Sequence, residues 1–219
     1  MKNFLYKEIK LCLAPINYVY LLFAVMTFIP NYPRYVPFYF MCVSFLHLFN
    51  NAMFNKDIEY SMILPITKRQ IVKSRCLMVA AYEIIFTLLS VPFSVLYAFF
   101  GPGPNVAGIE ANVAFYGLVL VLMSIFSFVY FTSFYKKAGK PGVPFLKGTI
   151  AFWVSFIAFE TPIYMKTVIN KPFITMLDNS DKASQIMQLP VLAAGIIIFI
   201  LSWILTYKVS ANRFEKVDL

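Results

Sequence analysis

The sequence predicts an all-α integral membrane protein. It has six transmembrane helices, a short interfacial helix ahead of them, and one polar cytoplasmic segment between the second and third. Three observations predict this. Charged residues are 13% of the chain and hydrophobic residues 60%, where a soluble domain carries about 25% charged residues. Mostly apolar runs recur at lengths that read as membrane spans. Lys and Arg are partitioned unequally between alternate connections.

Residues 1–14 come first. Met1, Phe4, Leu5, Ile9, Cys12 and Leu13 fall on one helical face, with Asn3, Lys7 and Lys10 on the other. That pattern suits a helix lying in the headgroup plane, ended by a bend at Pro15; the alternative is an extension of the first span. Lys2, Lys7 and Lys10 before an apolar run also suggest a signal peptide. The run is longer than an h-region and no small-x-small site follows it, so the segment is expected to be retained.

The first span is placed at 16–30. The turn-rich connection Asn31-Tyr32-Pro33-Arg34 leads to the second, 35–54. Residues 55–75, NKDIEYSMILPITKRQIVKSR, then form a polar island with seven charges. The third span, 76–100, stops at Gly101-Pro102-Gly103-Pro104. The fourth is 111–135, followed by a basic turn over Lys136, Lys137, Lys140 and Gly142. The fifth is 148–165, a polar extracytoplasmic loop covers 166–188, and the sixth span is 189–207. Fifteen Lys and Arg fall on the side of the termini and the island. Four, Arg34, Lys166, Lys171 and Lys182, fall on the other. This places both termini in the cytoplasm. It also accounts for the net charge of +9 without nucleic acid. Cys12, Cys42 and Cys76 form no CxxC pair and are expected to pack as small apolar residues.

Placing the island's seven charges in lipid would cost about 3 kcal/mol each, roughly 20 kcal/mol in total. The island is therefore expected in water. Asn55 is a candidate cap for a first short helix, with Asp57 where the dipole favours an anion. Pro65 disfavours helix at Leu64. Thr67 with Gln70 fits a capping box, and Ile66 with Ile71 a hydrophobic staple, so a second helix runs through Arg75 into the third span. The plainer reading is an ordinary solvated loop.

With the amphipathic MKNFLYKEIK, the six spans and KDIEYSMILPITKRQIVKSR after the second span, the chain resembles permease subunits of the ABC-2 type. These are the membrane half of bacterial ABC exporters, and small members export amphipathic cytolytic peptides in Gram-positive bacteria. The resemblance implies that 55–75 is a cytoplasmic coupling helix seated on an ATP-binding subunit. The contact residues would be Asp57, Glu59, Tyr60, Leu64, Pro65, Lys68 and Arg69. It implies a second permease copy or paralogue, and a bacterial plasma membrane location. The chain carries no GxxxxGK[ST] phosphate loop, so ATP and Mg belong to the partner and no catalytic residue or metal site is assigned here. Abundant Phe, Tyr and Met suit an apolar or amphipathic cargo such as a peptide, antibiotic or lipid.

Three ionisable residues fall inside spans, where such groups are functional candidates. Glu83 suits a substrate entrance, a cation partner or a link between helices. Glu160 is near enough to the outer interface to snorkel. His47, the only histidine, suits hydrogen-bonded packing. One histidine cannot supply a metal protease, and Ser44 with His47 lacks an acidic partner for a serine type. An ion-coupled carrier or channel, or a membrane immunity or scaffold protein, are the competing functions. No internal repeat of the kind many carriers have is evident.

Overall fold

The computed structural model describes residues 2–137, 139–165 and 172–217, with side chains from Tyr6 onward. Among these residues there is helix and no strand. Helix α1 spans Lys2–Cys12 and α2 spans Pro15–Leu22, continued by a 3₁₀ turn at Phe23–Phe28. Then come α3 (Val36–Phe54), α4 (Asp57–Ile63), α5 (Lys68–Phe100), α6 (Val113–Phe134) and α7 (Gly142–Tyr164). A short α8 (Pro172–Asp178) precedes the long α9 (Lys182–Glu215).

The bend expected at Pro15 measures 92° between Tyr6–Cys12 and Pro15–Phe28. Proline is tolerated at the first helical position because its missing N–H would have no intrahelical partner. The Asn17 side chain accepts from the Ala14 N–H at 2.9 Å and donates to the Ser44 carbonyl at 2.8 Å, fixing the bend on α3. The face of α1 turned to the bundle carries Glu8 and Cys12, with Lys7 half-buried beside them, while Tyr6 and Ile9 are exposed. Lys7 was expected on the polar face with Lys10. Met1, Phe4 and Leu5 lie outside the described side chains.

Four helices, α5, α6, α7 and α9, are each long and apolar enough to cross a membrane, and the bent N-terminal pair brings the number to five. The α2 segment with its 3₁₀ turn reaches only about 24 Å, short of a hydrocarbon core of about 30 Å. Helix α3 is buried along its length, with Phe38, Met41, Phe45, Leu48 and Phe49 in the core. Ser44, His47, Asn50 and Asn51 interrupt its apolar run. The connection expected as loop over 166–188 contains α8 and the start of α9; residues 166–171 are outside the described part.

The core is aromatic. Phe49 packs edge-on against Tyr130, Phe131 and Phe134, with centroids 4.6–5.3 Å apart. Such pairs add about 0.5–1.5 kcal/mol beyond their burial. Helices α6 and α9 meet at bare backbone, since a Cβ on Gly195 would lie 2.4 Å from the Gly117 carbonyl oxygen. Without a hydrophobic drive between helices in lipid, close backbone approach at small residues supplies the packing. The three free cysteines are buried, as expected of packing residues. Pro92 and Pro162 sit inside α5 and α7.

Candidate functional site

The polar island folds as a short helix, a corner and a stalk. Lys56 adopts a left-handed φ of 50°, which turns the chain from α3 into α4. Leu64 is extended ahead of Pro65 and ends α4, because proline crowds the residue before it out of helical geometry. Thr67 and Gln70 form the capping box reciprocally, at 3.3 and 2.9 Å. From there α5 runs unbroken for 33 residues to Phe100. Asn55 does not cap α4. Its side chain donates to the Leu11 carbonyl at 2.8 Å, and Asn51 donates to Leu11 and Cys12, so both amides hold the end of α1.

Beneath α4 lies a buried cluster of four charges from three helices. Arg75 on α5 forms ion pairs with Glu8 on α1 and Asp57 on α4. Lys7 reaches Asp57 at 2.9 Å and Glu8 at 3.1 Å. Glu8 also accepts from the Ser74 hydroxyl at 3.1 Å and from the Cys12 thiol at 3.4 Å. The Arg75 guanidinium also lies 5.2 Å from the Phe49 ring centroid. Each buried ion costs several kcal/mol of desolvation, offset only by close pairing and satisfied hydrogen bonds. Two cations against two carboxylates, with flanking donors, meet that requirement. Two island charges, Asp57 and Arg75, were expected in water and are instead buried, neutralised by α1.

Burial alone would raise the Glu8 carboxyl, but Arg75 and Lys7 hold it below the ordinary carboxylate range. A depressed native value stabilises the fold above the unfolded value, and that contribution is lost as pH falls through the native one. The melting temperature of the solubilised protein should therefore be level above about pH 5 and drop below about pH 4. Glu8→Gln should lose that acid-dependent step, and a Gln variant retaining it would show that other groups cause it. Glu8, Cys12 and Asp57 also lie close enough to share a metal ion. Their carboxylates are already paired with Arg75 and Lys7, and burial pushes the Cys12 thiol up, away from the thiolate a metal needs.

The expected contact residues divide in two. Asp57 is buried in the cluster. Lys68 donates to the Val217 carbonyl at 2.7 Å, and Arg69 grips Glu215 at 2.7 and 2.9 Å and Asn212 at 3.3 Å. Asp57 holds α4 to α1 and α5, while Lys68 and Arg69 tie the start of α5 to the end of α9, Arg69 remaining exposed. Glu59 is exposed, 3.6 Å from Lys56, and Pro65 is exposed, with Leu64 partly so. Tyr60 is 50% exposed and Ile63 82%, with Met62 and Phe54 beside them. The outer face of α4 is thus apolar with a charged edge. Lys7 and Glu8 were missed because nothing local marks them; their role depends on α1 folding back over α5.

Glu83 links three helices. Ser127 on α6 donates to one oxygen at 2.5 Å and the Trp203 indole on α9 to the other at 2.9 Å. Glu160 does not snorkel. It is buried and accepts from the Ile109 N–H at 3.3–3.4 Å. Gly108, with φ 137°, lets the loop approach, since a Cβ there would meet the carboxylate at 2.8 Å. His47 is exposed, its ring 5.6 Å from that of Tyr20. Gln188 was also missed. It is buried, accepts from the Ala114 N–H at 3.1 Å and donates to the Met176 and Asn179 carbonyls, tying α8 to α6.

A bundle of membrane-length helices, tied by a buried charge cluster to a stiff elbow with an apolar outer face, defines a multi-pass membrane protein of the permease class. The chain belongs to the ABC-2 transporter family: the family model described as ABC-2 family transporter protein matches residues 3–210. It is the membrane domain of an ABC transporter, a class that works with an ABC ATP-binding subunit. No curated protein and no solved structure matches the chain.

Proposed function

We propose that this chain is the transmembrane subunit of an exporter for an apolar or amphipathic substrate, with α4 as its coupling helix. The observation that carries this reading is the two-sidedness of α4. Its inner side is fixed through Asp57 to Arg75 on α5 and, through Lys7, to α1. Its outer side presents Tyr60, Met62 and Ile63. A push on the outer side reaches two other helices through charged contacts. The chain then has six crossings, counting α2 with its 3₁₀ turn and α3, and α1 lies along the cytoplasmic surface. A second copy or paralogue completes the pathway, both termini face the cytoplasm of a bacterial plasma membrane, and ATP and Mg are bound by the partner. No group of this chain acts on ATP. An ion-coupled carrier would draw on Glu83, but both its oxygens are engaged by Ser127 and Trp203, which favours a structural role.

The test uses the chain co-expressed with its ATP-binding subunit. Tyr60→Ala with Ile63→Asp should leave the melting temperature unchanged, because both side chains are exposed. It should remove co-purification of the ATP-binding subunit and ATP-driven flux. Undiminished co-purification and flux would overturn the assignment of α4. Arg69 is unsuited to this test, since its side chain is already engaged by Glu215.

A further inference from the structure

Two cavities open along the same seam, between α5 and α9. The larger, about 900 Å³, also touches α6, and the smaller holds about 320 Å³. Phe199 and Ile200 line both, so they are two reaches of one slot. The slot follows α5 from Lys73 to Gly101, about 42 Å at the rise of a helix, which exceeds a hydrocarbon core of about 30 Å.

Its walls at mid-depth are apolar, with Val91, Val95 and Ile196 among the exposed side chains. A long, narrow apolar cleft of this kind suits a hydrocarbon chain. The wall turns polar at the end remote from α4, where the Ser94 and Tyr116 hydroxyls meet at 2.6 Å near Asn112 and Gln185. Among the described residues, Glu110 stands there as the one charged side chain lining the larger cavity. Arg34 attracts Glu110 from behind the wall without forming a direct ion pair with it. Its guanidinium is buried behind the Tyr97 ring, 4.0 Å from the centroid, and donates to the Thr27 and Ile29 carbonyls.

We infer that this slot holds one membrane lipid with an ammonium-bearing headgroup, its head at Glu110 and its acyl chain along Val91, Val95 and Ile196. An apolar cleft with an acidic mouth complements a lipid with a cationic group above its hydrocarbon. The site is separate from the face of α4 and does not depend on the ATP-binding partner.

The chain has two tryptophans, and Trp203 lines the smaller cavity. Trp153→Phe leaves it as the sole reporter. The variant is placed in nanodiscs containing a low, equal fraction of either phosphatidylethanolamine or phosphatidylglycerol with brominated acyl chains. Phosphatidylethanolamine should quench Trp203 with about fivefold higher relative affinity, as a carboxylate–ammonium contact near water allows. Glu110→Gln keeps an oxygen to accept from the Asn105 N–H but removes the charge, and should abolish the preference. Val91→Phe narrows the slot and should weaken quenching by both lipids. Equal quenching by the two lipids, a preference that survives Glu110→Gln, or quenching unaffected by Val91→Phe would each overturn the inference.

Discussion

Arg75→Met should leave little folded protein in the membrane. The substitution keeps an unbranched apolar stem but strands Glu8 and Asp57, both buried, with Lys7 as the close cation among the described residues. Removing one partner of a buried ion pair costs about 3–5 kcal/mol, a large share of the 5–15 kcal/mol that holds a typical domain together. The expected result is a melting temperature too low to measure after solubilisation, or aggregation on size exclusion. The matched control neutralises the whole cluster, as Lys7→Met, Glu8→Gln, Asp57→Asn and Arg75→Met together. Well-packed neutral replacements of buried charges are often tolerated, so this variant should recover a monodisperse, folded protein. Because α4 then loses its ionic hold on α1 and α5, ATP-driven flux should fall even though the fold returns. A single Arg75→Met variant with wild-type melting would show that the cluster does not hold the three helices.

Gly195→Leu is expected to be nearly as damaging, for a different reason. A Cβ at Gly195 would sit 2.4 Å from the Gly117 carbonyl oxygen and 2.7 Å from its Cα. Both atoms are backbone of α6, so no side chain can swing aside. Helices α6 and α9 must separate, and their contact also positions Trp203 against Glu83. Overpacking of this kind costs about 1–3 kcal/mol or more, and the leucine adds bulk beyond the Cβ. Gly148→Ala is the contrast. Its new methyl meets the edge of the Phe126 ring at 2.9 Å, a side chain with more freedom to shift. Unfolding followed by tryptophan fluorescence should show a large loss for Gly195→Leu and a small one for Gly148→Ala. Equal losses would mean that the α6–α9 approach has no special weight.

Much of the local structure was legible in the sequence because its signals are short-range. Thr67 and Gln70 are three residues apart and cap α5 whatever surrounds them. Pro65 ends α4 through its own ring, and the apolar lengths of α5, α6, α7 and α9 mark them as membrane helices. Asn55 misled because a capping residue beside a helix start is also free to turn its amide elsewhere, here to Leu11. Glu160 misled because its place in the chain suggested reach to the interface, while the 105–110 loop folds down to supply the Ile109 N–H.

By itself the sequence determined the class of molecule. Its shortage of charge and its recurrent apolar runs leave lipid as the medium, and its island of charge between two such runs has the punctuation of a rigid elbow. Only the tertiary structure decided which island residues face outward and which are joints. Asp57, Lys68 and Arg69 look as free as Glu59 and Tyr60 in the sequence, yet partners 50 to about 150 positions away claim them. The physical reason is that a charge is settled by the partner brought to it, and that partner is brought by chain folding that no local pattern records.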